Sequence, residues 1–202
     1  DRELYLSGTE EKRHIYLDFL ERDLRLLGFD EASARTRARQ SYEVDAAIAP
    51  HRLDPQAQQD VDQTYNVYSF AQLQTVFPNV DLTAVYTACG LRETDKVLVS
   101  DVAAMTAAAQ FFDDAHVEDL KAAMEIRLMA RLGGFLQQEF LDSSNQLAQD
   151  YYGFSFSQSP EDLAALRVET MLDEYLSQSY VNRYFSQESK TDVENMIQDF
   201  LK

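Results

Sequence analysis

From Thr64 to Leu98 the chain reads TYNVYSFAQLQTVFPNVDLTAVYTACGLRETDKVL, three punctuated elements in one short span. Tyr65 and Asn66 lead into Ser69-Phe70-Ala71-Gln72, a capping box in which the Ser side chain and the Gln three residues on satisfy each other's backbone donors. Pro78 stops that helix, because it has no N–H to give and pushes Phe77 towards extended geometry. Asp81 caps a second short helix, and Gly90 supplies its left-handed end. Lys96-Val97-Leu98-Val99 then reads as the only strand-like run in the chain. No residue of this stretch reads as catalytic.

Around it lie 202 residues, enough for one large domain or two small ones with a real core. Six Gly and four Pro favour long helices over a turn-rich β architecture. No apolar run approaches the ~18 residues of a membrane span. No basic-then-apolar leader opens the chain and no initiator Met is present, so a fragment or a processed product is expected, with any targeting signal outside it. The compartment is left unassigned. Eighteen basic against 35 acidic side chains give −17, which disfavours nucleic acid and anionic membrane surfaces. Cys89 is alone, so the fold holds without an intramolecular disulfide, and a buried structural thiol is expected there.

Towards the N-terminus, Thr9 caps a helix with Glu10 and Glu11 at the positive end of its dipole. Ile15, Phe19, Leu20, Leu24 and Leu27 share one face, and Gly28 ends the helix. Asp30 with Glu31 opens the next, which carries Ala34, Ala38 and Tyr42 in a stripe and runs to about Ala49 before Pro50. Its Arg35, Arg37 and Arg39 predict a solvated face with intrahelical pairs such as Arg39–Glu43. Residues 51–62, Gln- and Asp-rich with Pro55, read as a surface connection.

Beyond the strand, Asp101 caps an Ala-rich helix ending near Asp113. A long helical pattern follows from Asp114 to about Tyr151, with Leu120, Met124, Ile126, Leu128 and Leu132 on a broad apolar face. Gly133-Gly134 predicts a kink or break in it, and Phe135, Phe140, Leu141 and Leu147 continue the pattern. YYGFSFSQ (151–158) is a linker. Ser159-Pro160-Glu161-Asp162 starts a helix expected to reach Phe185. Ser186 caps the last one, which runs out at Lys202 and so suggests truncation. Seven or eight helices are expected, in a mostly α fold: an irregular multi-helix bundle with at most one short strand or hairpin.

Chemistry is hard to find. His14, His51 and His116 lie far apart, no His-Glu-x-x-His occurs, and no Cys/His pair has metal-ligand spacing. The nucleophile elbow, the P-loop and the dinucleotide fingerprint are absent. Gly153-Phe154-Ser155 begins like the elbow, but Ser157 stands where its closing Gly belongs. The pairs Asp113-Asp114, Glu118-Asp119 and Glu161-Asp162 sit at helix starts, where the dipole explains them. The residues alone give a soluble helical domain, with no catalytic, cofactor-binding or metal-ligating residue assigned.

A resemblance adds to this. Asp1-Arg2-Glu3-Leu4-Tyr5-Leu6 is similar to the entry segment of neprilysin-like zinc metalloendopeptidases. So is Tyr65-Asn66 with Phe70-Ala71-Gln72-Leu73 and Phe77, and so is Lys96-Val97-Leu98-Val99 before its helix. Glu118-Asp119-Leu120 with Arg127 resembles part of the family's long helix. Tyr180-Val181 through Phe185, Ser189-Lys190 and Val193-Glu194 resemble the end of its helical lobe. These ordered matches span nearly the whole chain. Glu161 and Ala164 stand about where the family often has Trp and Cys, and Ser179 where it has Leu. The Cys framework of animal members is missing, which fits a bacterial relative.

The resemblance implies that residues 1–202 are the non-catalytic helical lobe of a two-lobe peptidase. It implies that this lobe walls the active-site cavity and restricts substrates to oligopeptides. Its partners would be the catalytic lobe of the same polypeptide and an oligopeptide substrate. Zinc, polarising the scissile carbonyl while a Glu assists attack by water, would belong to the missing lobe, and the chain alone would be inactive. A stand-alone helical interaction module is the competing reading, and a helical enzyme acting through its acidic clusters a third. A lobe cut from its partner should leave an apolar face uncovered, seen as weak self-association or as a large apolar patch.

Overall fold

The computed structural model describes residues 2–154 and 159–201, and the chain divides into two compact units, residues 1–155 and 156–202. The first unit runs α1 (Arg2–Leu6), α2 (Glu10–Leu26), α3 (Glu31–Ile48), α4 (Val61–Thr64), β1 (Asn66–Tyr68), α5 (Phe70–Val76) and α6 (Leu82–Ala88). It continues through β2 (Val97–Val99), α7 (Val102–Ala109), α8 (Val117–Leu132) and α9 (Gln138–Tyr152). The second holds α10 (Pro160–Met171), α11 (Asp173–Tyr184) and α12 (Gln187–Phe200). The mostly α architecture expected from the sequence is the one observed.

The helix starts follow the caps. The side chains of Thr9, Asp30, Asp81, Asp101, Ser159 and Ser186 each accept a backbone N–H two or three places into the helix behind them. At Ser69 the full box forms: its Oγ accepts from Gln72 N, and Gln72 Oε1 accepts from Ser69 N at 2.9 Å. Gly28 and Gly90 take the positive φ (100° and 71°) that ends α2 and α6 without a Cβ clash.

The first unit is built around α3, which packs on α2 along one side and on α8 along the other, with α1 and α7 against it. Small residues make the close approach possible: Ala34, Ala38, Ala122 and Ala123 are almost fully buried. Leu20 and Leu24 from α2, Ile126 and Met129 from α8 and Phe140 from α9 complete the main core. Of the stripe predicted on α2, Leu20 and Leu24 reach this core and Phe19 packs at its edge, whereas Leu27 lies at the exposed C-cap. The broad apolar face of α8 is only partly used, since Ile126 is buried while Met124 and Leu128 are exposed.

The opening stretch forms a satellite cluster. Leu73, Leu82 and Tyr86 are buried together beneath Phe70, Val97 and Val99. Val97–Val99 is a strand as expected, but it is not alone: it pairs antiparallel with Asn66–Tyr68, in register Asn66↔Val99 and Tyr68↔Val97. Three residues are too few for a period to register in the sequence, and the partner lies far along the chain. The Tyr86 ring stands edge-on to Phe70 at 5.1 Å, and its buried hydroxyl finds no hydrogen-bond partner among the described residues. Tyr86→Phe removes an orphaned polar group, so it should raise unfolding stability by about 1 kcal/mol in urea titration. A loss of stability instead would mean that the hydroxyl is satisfied by an internal water.

Several boundaries differ from expectation, and with α1 and α4 they raise the count to twelve α-helices among the described residues. The Ala-rich helix stops at Ala109 rather than near Asp113. The long pattern starts as a 3-10 turn, Asp114–His116, and breaks at a second one, Gly133–Phe135, as the Gly pair predicts. The helix expected from Pro160 to Phe185 is two, broken at Leu172 (φ −113°, ψ 18°). No helix breaker marks that break. The acids Asp173 and Glu174 directly behind it favour a fresh N-terminus. None of the described side chains in α10–α12 is buried, and Met171, Tyr175, Met196 and Phe200 are among the apolar ones left open.

Candidate functional site

The histidines and acids weighed for chemistry do not converge. His14 is exposed, with Nδ1 2.9 Å from the carbonyl of Glu10. His51 lies in the 3-10 turn after α3. His116 is held by Asp113, which accepts its backbone N–H at 3.0 Å and faces its Nδ1 at 2.7 Å. That hydrogen bond to the ring holds the Asp113 carboxyl below its ordinary range. Glu118 is likewise lowered, first by Lys121 Nζ donating at 2.6 Å. Asp162 sits against the Ser159 cap at 2.9 Å. These acids are capping and pairing groups, as their place at helix starts predicts. The elbow-like Ser155 and Ser157 lie outside the described residues.

Cys89 departs from expectation. It is exposed, because the C-cap of α6 turns it outward while Leu82 and Tyr86 take the inner face. Among the described residues no group of three or more His, Cys, Asp or Glu side chains could hold a metal ion.

The arginines of α3 are used between helices more than along one. Arg35 bridges Glu31 and Glu21 at 3.2 and 3.3 Å. Arg37 donates to Glu125 of α8 at 2.8 Å and lies over the Phe29 ring. The Arg39–Glu43 pair is not among the ion pairs of the described residues. Arg35 thus keeps its intrahelical partner beside an interhelical one, whereas Arg37 reaches across to α8.

Two polar clusters tie the bundle together. Ser143 of α9 accepts from Arg22 Nε at 2.8 Å, donates to the buried Asp23 carboxylate, and offers its carbonyl to Arg22 Nη2 at 3.1 Å. Burial pushes the Asp23 carboxyl up, against the pull of Ser143 and Arg22. On the other side, Tyr5 donates to Asp45 at 3.4 Å and packs on Tyr16 and Tyr42. Burial, first of all, raises both the Tyr5 and Tyr16 hydroxyls. These phenols remain protonated and structural.

A cleft of about 590 Å³ with both polar and apolar walls lies between α3, α7, α8 and the connection 52–64. Val44 and Ile48 are buried at its back, and Ala104, Ala108 and Met124 form its floor. Two guanidiniums, Arg52 and Arg127, and one carboxylate, Asp101, line it. Asp101 is occupied by the backbone, accepting from Leu53 N at 2.9 Å and Ala104 N at 3.0 Å. Arg127 donates to Asp45 at 2.8 Å, but Arg52 stands 3.9 Å from the same carboxylate, beyond hydrogen-bond reach. Sequence reading left this cleft out. Arg52 fell in a stretch read as surface connection, and the walls come from segments some fifty residues apart.

Comparison with known proteins is consistent across the chain. A family model described as Peptidase family M13 matches residues 1–202. Endothelin-converting enzyme 1 of Rattus norvegicus is 23% identical over all of this chain and 27% of its own length. The neutral endopeptidase of Lactobacillus helveticus is 22% identical over 92% of this chain and 29% of its own. Among solved structures, the zinc metalloprotease of Mycobacterium tuberculosis in its open state superposes with a TM-score of 0.83 at 20% identity, covering 98% of this chain and 31% of the other. The peptidase PEPO of Lactobacillus rhamnosis gives 0.79 at 18% identity, over 98% and 32%. The chain thus spans between a quarter and a third of the length of these relatives.

Proposed function

The chain belongs to peptidase family M13, as its N-terminal helical domain, and from that premise we propose that it serves a neprilysin-like zinc metalloendopeptidase as the non-catalytic lobe. The observation that carries the proposal is the family match over the full 202 residues. In this reading the domain walls the active-site cavity and limits substrates to oligopeptides. The rest of the same polypeptide supplies the catalytic lobe, the zinc ligands and the general base, for which the described residues here offer no set. No helix among them is long and apolar enough to cross a membrane. What this chain contributes is shape: a close-packed α2–α3–α8 wall stiffened by Arg37–Glu125 and by the Asp23–Ser143–Arg22 cluster.

The whole protein should hydrolyse quenched oligopeptides and lose that activity on chelation, while a folded protein carrying the same sequence in a surface loop resists. Residues 1–202 alone should show neither stoichiometric zinc nor turnover. Equal cleavage of the peptide and the folded protein would overturn the exclusion role. Zinc bound by the isolated domain would overturn its non-catalytic assignment.

A further inference from the structure

We propose that the open face of α8 seats a further helix, supplied by the same polypeptide from outside residues 1–202. Taking the occupant from the same polypeptide rests on the peptidase reading; the need for an occupant rests on α8 itself. That helix carries two apolar stripes. Ala122, Ala123, Ile126 and Met129 are buried, on the side that packs on α3 and the main core. Val117, Leu120, Met124 and Leu128 recur three and four residues apart on the other side. There Val117 is 41% exposed, Met124 66% and Leu128 60%. A helix apolar on both sides belongs between two partners, and the second stripe has none among the described residues.

The open stripe borders a trough. The cleft of about 590 Å³ is continued by a second concavity of about 500 Å³, and the two share Phe112 and Leu120. Val117, Leu120 and Met124 form the α8 wall, with Ala104 and Ala108 of α7 facing it. From Val117 to Arg127 that wall runs about 15 Å. A trough between two helices takes a third helix, whose side-chain ridge seats in it. The two ends differ in charge. Asp113 and Asp114 line the Val117 end, and Asp114 makes no hydrogen bond or ion pair among the described residues. At the other end Arg52 and Arg127 share the carboxylate of Asp45. The helix dipole therefore places the incoming N-terminus beside Asp113 and Asp114. A second copy is the poorer occupant, because a two-fold pair sets trough against trough and two concavities do not fill each other. The relatives carry about two thirds or more of their length outside the stretch matched here, so the same polypeptide has chain to give.

The test uses the whole protein, with the photo-crosslinker benzoylphenylalanine in place of Met124 or Val117, in a mixture of light and heavy-isotope chains. Met124→benzoylphenylalanine should crosslink, within one copy, to a segment outside residues 1–202. Val117→benzoylphenylalanine should reach the same segment about seven residues nearer its N-terminus. Met124→Cys covers the case in which the bulky crosslinker displaces the segment: a maleimide should label it at least about tenfold more slowly in the folded protein than in urea. Mixed light–heavy adducts would make a second copy the occupant and overturn the proposal. So would adducts confined to residues 1–202, or labelling of Met124→Cys as fast when folded as in urea. The reverse order of the two crosslinks overturns the polarity. Chelator-sensitive peptide hydrolysis by a protein whose trough is open sinks the docking alone. A covered trough in a protein that hydrolyses no peptide sinks the peptidase reading alone.

Discussion

Leu24→Ala should lower the unfolding free energy by about 3 kcal/mol, within the range of 2 to 5 measured for large-to-small changes in well-packed cores. Leu24 is fully buried, in the cluster where α2, α3, α8 and α9 meet. The surrounding walls cannot collapse into the space. Ala34 and Ala38 are already small and almost fully buried in this cluster, and Phe140 stands on α9 one turn before Ser143, which is tied to Arg22 and Asp23. The lost transfer free energy is therefore joined by the cost of a lasting cavity. Urea titration at two wavelengths checks it, through a midpoint shift at constant slope. A loss below about 1 kcal/mol would mean that the helices do close up, and that this packing is looser than described.

Ser143→Ala should cost a comparable amount, and it should do so with a pH signature. The hydroxyl is the donor to a buried carboxylate and the acceptor for Arg22 Nε. Its removal leaves Asp23 with less compensation for burial, at about 2 kcal/mol near neutral pH. In the native protein the folded Asp23 carboxyl already lies above its ordinary value of 3.8. The folded state therefore holds a proton that the unfolded state has lost, and stability falls as pH rises from 3.8 through the folded value. Ser143→Ala should push that value higher and deepen the fall. Below 3.8, with the carboxyl protonated in both states, its cost should shrink. Asp23→Asn keeps an acceptor for Ser143 and removes the charge, so it should flatten the slope and leave neutral-pH stability equal or greater. Denaturation curves at several pH values separate the variants. Parallel wild-type and Asp23→Asn profiles would show that Asp23 is not the group responsible.

What the sequence made legible was local. A Ser, Thr or Asp three residues ahead of a backbone donor can be read without knowing anything else about the fold, and the caps at Thr9, Asp30, Ser69, Asp81, Asp101, Ser159 and Ser186 hold for that reason. The family resemblance was legible too, because ordered short matches survive where overall identity has fallen to about a fifth. Features that need two distant segments were not. Asn66–Tyr68 becomes a strand only because Val97–Val99 lies beside it. Arg37 leaves its own helix for Glu125. Leu128 and Met124 look like core by period, but α3 has room for only one stripe of α8. The cleft belongs to the same class: each wall is an ordinary helix face, and only their meeting makes a concavity.

The β1–β2 pairing carries a consequence for how this domain can vary. By bringing Tyr68 opposite Val97, it makes the chain leave the bundle and return at one point. The intervening α5 and α6 bury Leu73, Leu82 and Tyr86 largely among themselves and the strands. Closing such a loop costs entropy only as the logarithm of its length, about 0.6 kcal/mol for each doubling. The segment between the strands is therefore free to lengthen or shorten between relatives while the α2–α3–α8 wall stays fixed. Insertions and deletions should collect between Ser69 and Lys96, where the hairpin's two strands act as the seam of a replaceable panel.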